Sequence, residues 1–143
     1  MKSQDIAVYR EIQKNTDMAM KVLDTISDKI FDDQLAMQTA RQSIRYSELH
    51  NEATKQLVAA KADSYRGNYL SDIMLKAGIQ YNTLLNTSTG HIAELLIKGS
   101  NMGVLEMEKV LNHSEGAGQK ATDMARQLID FETKNIQRLL KYL

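Results

Sequence analysis

The sequence predicts an all-α protein, a ferritin-like four-helix bundle with a helical crossover between helices 2 and 3. Three observations carry that expectation. The 143 residues contain no proline and only seven glycines, whereas a sheet protein with many turns spends more of both. Apolar residues recur at three- and four-residue spacing along four long stretches, as they do on a helix with one buried face. Residues that cap or break helices bound those stretches. One domain over 1–143 is expected, long enough to bury a core.

Helix 1 is expected from about Ser3 to Ile30, with Ile6, Tyr9, Gln13, Thr16, Met20, Leu23 and Ile30 inward. Arg10, Lys14, Asp17, Lys21, Asp24 and Asp28 make its solvent face. Asp32 or Asp33 can cap helix 2, which is expected to reach about Ser64. Leu35, Thr39, Gln42, Tyr46, Leu49, Ala53, Leu57 and Ala60 face inward; Arg41, Arg45, Glu48, Glu52 and Lys55 read as a solvated outer face. Arg66-Gly67-Asn68 breaks the pattern, and a shorter helix follows over about 69–86. A ferritin-like bundle uses such a segment as its long crossover; the alternative is a five-helix up-and-down bundle.

Ser88 or Thr89 caps helix 3, which extends to about His113, and Ser114–Gly118 turns the chain. Helix 4 runs from about Gln119 to the end, with Ala121, Ala125, Leu128, Glu132, Leu139 and Leu143 inward. Helix 3 raises a question, because Gly99 and Gly103 sit in its middle and each costs about 1 kcal/mol relative to alanine. Both fall on an expected inner stripe of Ile92, Leu96, Gly99, Gly103, Glu106, Val110 and His113. The reading is a helix-packing notch, filled by helix 4 or by a bulky side chain such as Tyr46. A second apolar stripe, Ile97, Ser100, Val104, Met107 and Leu111, also asks for cover. Either the 69–86 helix supplies it, or a second subunit does, giving a homodimer through helix 3.

The inward faces also carry a polar layer of Gln13, Gln42, Tyr46, Glu106 and Glu132, with Asn135 a further partner. An unpaired buried carboxylate costs several kcal/mol or takes up a proton, so these groups are expected to bond one another. Ferritin-like di-metal proteins need a glutamate on each of two helices and Glu-x-x-His on the other two. Here Glu48-Leu-His50-Asn-Glu52 has the wrong spacing on an outer face, and His91-Ile-Ala-Glu94 has the wrong order. No metal and no cofactor are therefore expected. His50, His91 and His113 have no nucleophile beside them, so the chain is read as not an enzyme.

Eighteen Lys+Arg balance eighteen Asp+Glu, which argues against nucleic acid as a partner. No cysteine is present. The start MKSQDIAVYREIQK has no apolar core and is not expected to be a signal peptide. The most apolar stretch, 92–111, contains Glu94, Lys98, Glu106, Glu108 and Lys109, so no membrane insertion is expected. The expectation is a soluble, cytoplasmic protein.

The strings STGHIAELLIKGSNMGVLEMEKVL and ETKNIQRLLKYL resemble a family of small ferritin-like bundle proteins of spore-forming bacteria, near the spore-coat-F-like group. The likeness is strongest over Ser88–Val110 and Glu132–Leu143. It implies a ferritin-like four-helix fold and an association with sporulation, and it assigns no catalytic residues. The expected function is a non-enzymatic bundle acting by self-assembly or partner binding. The alternative is a ferritin-like protein binding iron or manganese through Glu106 and Glu132.

Overall fold

The computed structural model describes residues 1–65 and 88–143, and every regular element among them is helical. Helix α1 spans Ser3–Ile26 and is followed by a 3-10 turn, Ser27–Lys29. Helix α2 spans Asp33–Ala59, α3 Thr89–Asn112 and α4 Gln119–Leu139, the last leading into a 3-10 turn at Leu140–Tyr142. The expected 69–86 helix lies outside the described residues. Among those described, no helix is long and apolar enough to cross a membrane.

The helix ends follow from local chemistry. The Asp32 carboxylate accepts the Leu35 N–H at 2.9 Å, and the Ser88 hydroxyl accepts the His91 N–H at 3.4 Å, each satisfying an amide that the first turn leaves unpaired. Helix α2 stops short of the expected Ser64 because Lys61 adopts a φ of 54°. The Lys61 N–H then bonds the Val58 carbonyl and the Ala62 N–H the Leu57 carbonyl, both at 3.0 Å. This is a Schellman closure. His113 ends α3 with its Nδ1 at 2.7 Å from the Lys109 carbonyl, a contact that serves one of the last-turn carbonyls.

Side-chain pairs define the helix directions. Gln13 donates to Thr54 at 3.0 Å and Arg10 to the Asp63 carbonyl at 2.6 Å, so α1 and α2 are antiparallel. Arg126 meets Glu108 at 2.9 Å and Ser100 meets Glu132 at 3.3 Å, so α3 and α4 are antiparallel. The Asp5 carboxylate accepts the Gly118 N–H at 2.6 Å, which places the start of α1 beside the start of α4. Helices α2 and α3 consequently run the same way, with the end of α2 and the start of α3 at opposite ends of the bundle. Helix α1 touches all three others, while α2 meets α4 only over a short stretch.

The core draws Val8 and Ile12 from α1, Leu35, Ala53 and Leu57 from α2, Met107 from α3, and Ala125 and Leu139 from α4, all fully buried. Helix α3 corrects the expected phase. Its buried face is Ile92, Leu96, Ser100, Gly103, Met107 and Leu111, not the stripe through Gly99, Glu106, Val110 and His113. Both stripes are apolar enough to be buried, and the bundle takes the one that keeps the Glu106 carboxylate and the His113 ring near water. Much of the stripe expected to need a cover is thus inside the chain; Val104 is half-buried and Leu105 remains 53% exposed. Leu143, expected inward, is exposed. Helix α2 leaves an apolar outer ridge, with Met37, Ile44 and Val58 all more than half exposed.

Candidate functional site

One carboxyl group lies in the middle of the bundle. Glu132 of α4 is only 3% exposed, on the buried face that Leu128 and Leu139 also occupy. Three donors converge on its Oε1: the Tyr46 hydroxyl from α2, the Ser100 hydroxyl from α3 at 3.3 Å and the Asn135 amide at 3.2 Å. The Asn135 amide also reaches the Tyr46 oxygen at 3.4 Å. The Tyr46 ring is held edge-on against Phe131, with centroids 5.0 Å apart. Burial pushes the Glu132 carboxyl up to about 7, and the bonds from Tyr46, Asn135 and Ser100 only partly oppose that shift. Burial, and then the Glu132 charge, hold the Tyr46 hydroxyl protonated far above its ordinary range.

The other oxygen, Oε2, turns towards α3 at Gly103. A Cβ there would overlap Oε2, so this glycine makes room for a carboxylate rather than for a neighbouring backbone. Gly99 corrects the notch reading: among the described residues nothing lies within 4 Å of the position its Cβ would occupy. It borders a cleft between α1 and α3. Lys14, Met18 and Val22 of α1 face Leu95, Gly99, Met102 and Glu106 of α3, and Tyr46, Ser100, Gly103 and Glu132 lie deeper. The enclosed cavity is small, about 70 Å³, and opens to a wide mouth.

The expected layer therefore divides. Tyr46 and Glu132 are bonded together. Gln42, 4% exposed, borders the cleft, and its Nε2 has no partner. Gln13 is buried but bonds Thr54 and the Tyr65 N–H instead. Glu106 lies at the cleft with its side chain 27% exposed and pairs loosely with Lys109 at 3.9 Å. Ser100 is the participant that sequence reasoning missed, because it fell on the stripe assigned to an outer cover. Its spacing of three from Gly103 was the available signal: two small residues on one helical face beside a buried acid. Among the described residues no three His, Cys, Asp or Glu side chains are grouped to hold a metal.

Chemically, the arrangement offers a carboxyl that titrates near neutrality, oriented by three donors on one oxygen and open towards an apolar cleft on the other. No protein-family model, curated protein or solved structure matches this chain.

Proposed function

We propose that the chain is a non-enzymatic, ferritin-like helical bundle that acts by binding, with the α1–α3 cleft as its binding element. The ferritin-like reading is supported by the parallel α2 and α3, whose facing termini lie at opposite ends and call for a long connection. The binding reading rests on one observation, the Glu132 Oε2 turned away from its three donors at the bottom of an apolar cleft. Such a site takes a small molecule with an apolar body and a head that donates hydrogen bonds to a carboxylate. Gly99 leaves the space that the body fills.

Hexylamine, followed by the melting temperature of the protein at pH 8, tests this reading. A saturable rise is expected, absent in Glu132→Gln and in Gly99→Leu, which fills the cleft without touching the core. Equal rises in Gly99→Leu and wild type would refute it. Metal analysis separates the iron or manganese alternative: stoichiometric metal lost on Glu132→Gln would replace the amine reading.

The ridge on α2 favours self-assembly as a second mode. Met37, Ile44, Asn51 and Val58 follow at seven-residue intervals, the spacing of a helix-pairing seam. An antiparallel second copy sets Met37 against Val58 and Ile44 against Asn51. The homodimer expected through helix 3 moves here because Ser100, Met107 and Leu111 are already buried within the chain. Light scattering on wild type and Ile44→Glu decides it: a dimer unaffected by the substitution rules the ridge out.

A further inference from the structure

We infer that the groove between α2 and α4 binds a phosphorylated small molecule carrying a planar, hydrogen-bonding ring, a ligand of the nucleoside diphosphate class. This groove meets the α1–α3 cleft only at Gln42, and it combines three features.

Its rim is cationic. Arg41 and Arg45 of α2 face Lys134, Arg138 and Lys141 of the α4 end across the groove, with Asp130 the one acid among the described residues lining it. Asp130 pairs with Lys134 at 2.8 Å, and Arg45 is held by Glu48 and Gln127. Arg41 and Arg138 are exposed and form no ion pair among the described residues, and the Lys141 ammonium lies 5.2 Å from the centroid of the Tyr142 ring. The whole chain is neutral, so this concentration of positive charge is local. Guanidinium pairs are the side chains whose fork matches phosphoryl oxygens.

Its floor is polar and incomplete. The Gln38 Nε2, Gln42 Nε2 and Asn135 Oδ1 atoms are buried without hydrogen-bond partners, and all three residues line this groove. Asn135 is 0% exposed and Gln42 4%. Buried polar atoms in folded proteins are ordinarily paired. Two amide donors and one carbonyl acceptor on residues that line one groove are the kinds of group that the mixed edge of a heterocyclic base would satisfy.

Its lining includes two aromatic residues, Phe131 and Tyr142, side chains of the kind on which a planar ring stacks. The volume, about 990 Å³, lies at the upper end of small-molecule sites. An acidic polypeptide would satisfy the rim but leave the floor atoms unpaired, which is why a ring-bearing phosphate compound is preferred.

Calorimetric titration of the full chain at low salt tests the inference, using ADP, GDP, CDP and UDP, inorganic pyrophosphate and the four nucleosides. At least one diphosphate is expected to bind one to one, about tenfold or more tighter than both pyrophosphate and its own nucleoside. Arg41→Ala with Arg138→Ala, both at exposed positions and checked for an unchanged melting temperature, is expected to weaken that binding by at least about tenfold. Gln38→Leu is expected to weaken the nucleotide but not pyrophosphate. No binding of any diphosphate at millimolar concentration overturns the inference, as does pyrophosphate binding as tightly as every nucleotide. Poly-L-glutamate binding in the absence of nucleotide binding would assign the groove to an acidic polypeptide instead.

Discussion

The buried carboxyl of Glu132 should make the protein less stable as the pH rises from about 4.5 towards 7. In the folded chain this group titrates near 7, against 4.5 for an unperturbed glutamate. Between those values the folded state keeps a proton that the unfolded state has released, so stability falls with rising pH. Above 7 both states are ionised and the loss levels off. At about 1.4 kcal/mol per pH unit the full effect is roughly 3 kcal/mol, and about 2 to 3 kcal/mol of it falls between pH 5 and 8. Glu132→Gln removes the titration while retaining a carbonyl oxygen for Tyr46, Ser100 and Asn135. Urea unfolding of both proteins at pH 5 and pH 8 measures the effect. Because the two chains share every other titrating group, the change in their stability difference isolates Glu132. The variant is expected to gain about 2 to 3 kcal/mol relative to wild type on going from pH 5 to pH 8. A difference that stays constant, or moves the other way, would mean that the carboxylate is ionised throughout and that burial does not control it.

The two glycines of α3 should respond with opposite signs in thermal melts. Gly99→Ala is expected to stabilise by about 1 kcal/mol, since its Cβ meets nothing among the described residues, while Gly103→Leu, crowding the Glu132 carboxylate, destabilises by more than about 2 kcal/mol. Equal responses would put the phase of α3 in error. Met107→Lys places a charge at a fully buried position and is expected to cost more than about 4 kcal/mol, read as loss of helical circular dichroism; a folded variant would place Met107 at the surface. The Asp5 carboxyl is held below its ordinary range by the Gly118 N–H and then by the Lys2 N–H. Its contribution is present above the unfolded value and lost as pH falls through the folded one, so the stability gap between wild type and Asp5→Asn should close as pH is lowered from 5 to 2; a gap independent of pH would exclude the contact.

Much of the architecture was legible in the residues themselves. Proline-free stretches of three- and four-residue periodicity dictate helices, and Ser88 and Asp32 mark starts that depend only on the first turn. Those are local interactions, so local sequence is enough. The end of α2 was less legible, because Lys61 takes a left-handed conformation usually left to glycine. Glu132, Tyr46 and Gln42 could be placed on inner faces from spacing alone. Tyr46 and Asn135 were among the partners expected for Glu132, and both bond it, whereas Ser100 was not among them. Helix α3 carries two apolar stripes about 100° apart, and periodicity reports that both are apolar without saying which one the other helices cover. That choice, made by packing against α1 and α4, brought Ser100 to Glu132, opened the cleft at Gly99 and left Glu106 at its edge. The cationic groove was hidden for the same reason. Arg41 and Arg45 read as a solvated helix face, and Lys134 and Lys141 lie off the face of helix 4 that is expected inward. Only the packing of α2 beside α4 sets those faces opposite each other, above amide groups that neither helix can satisfy alone.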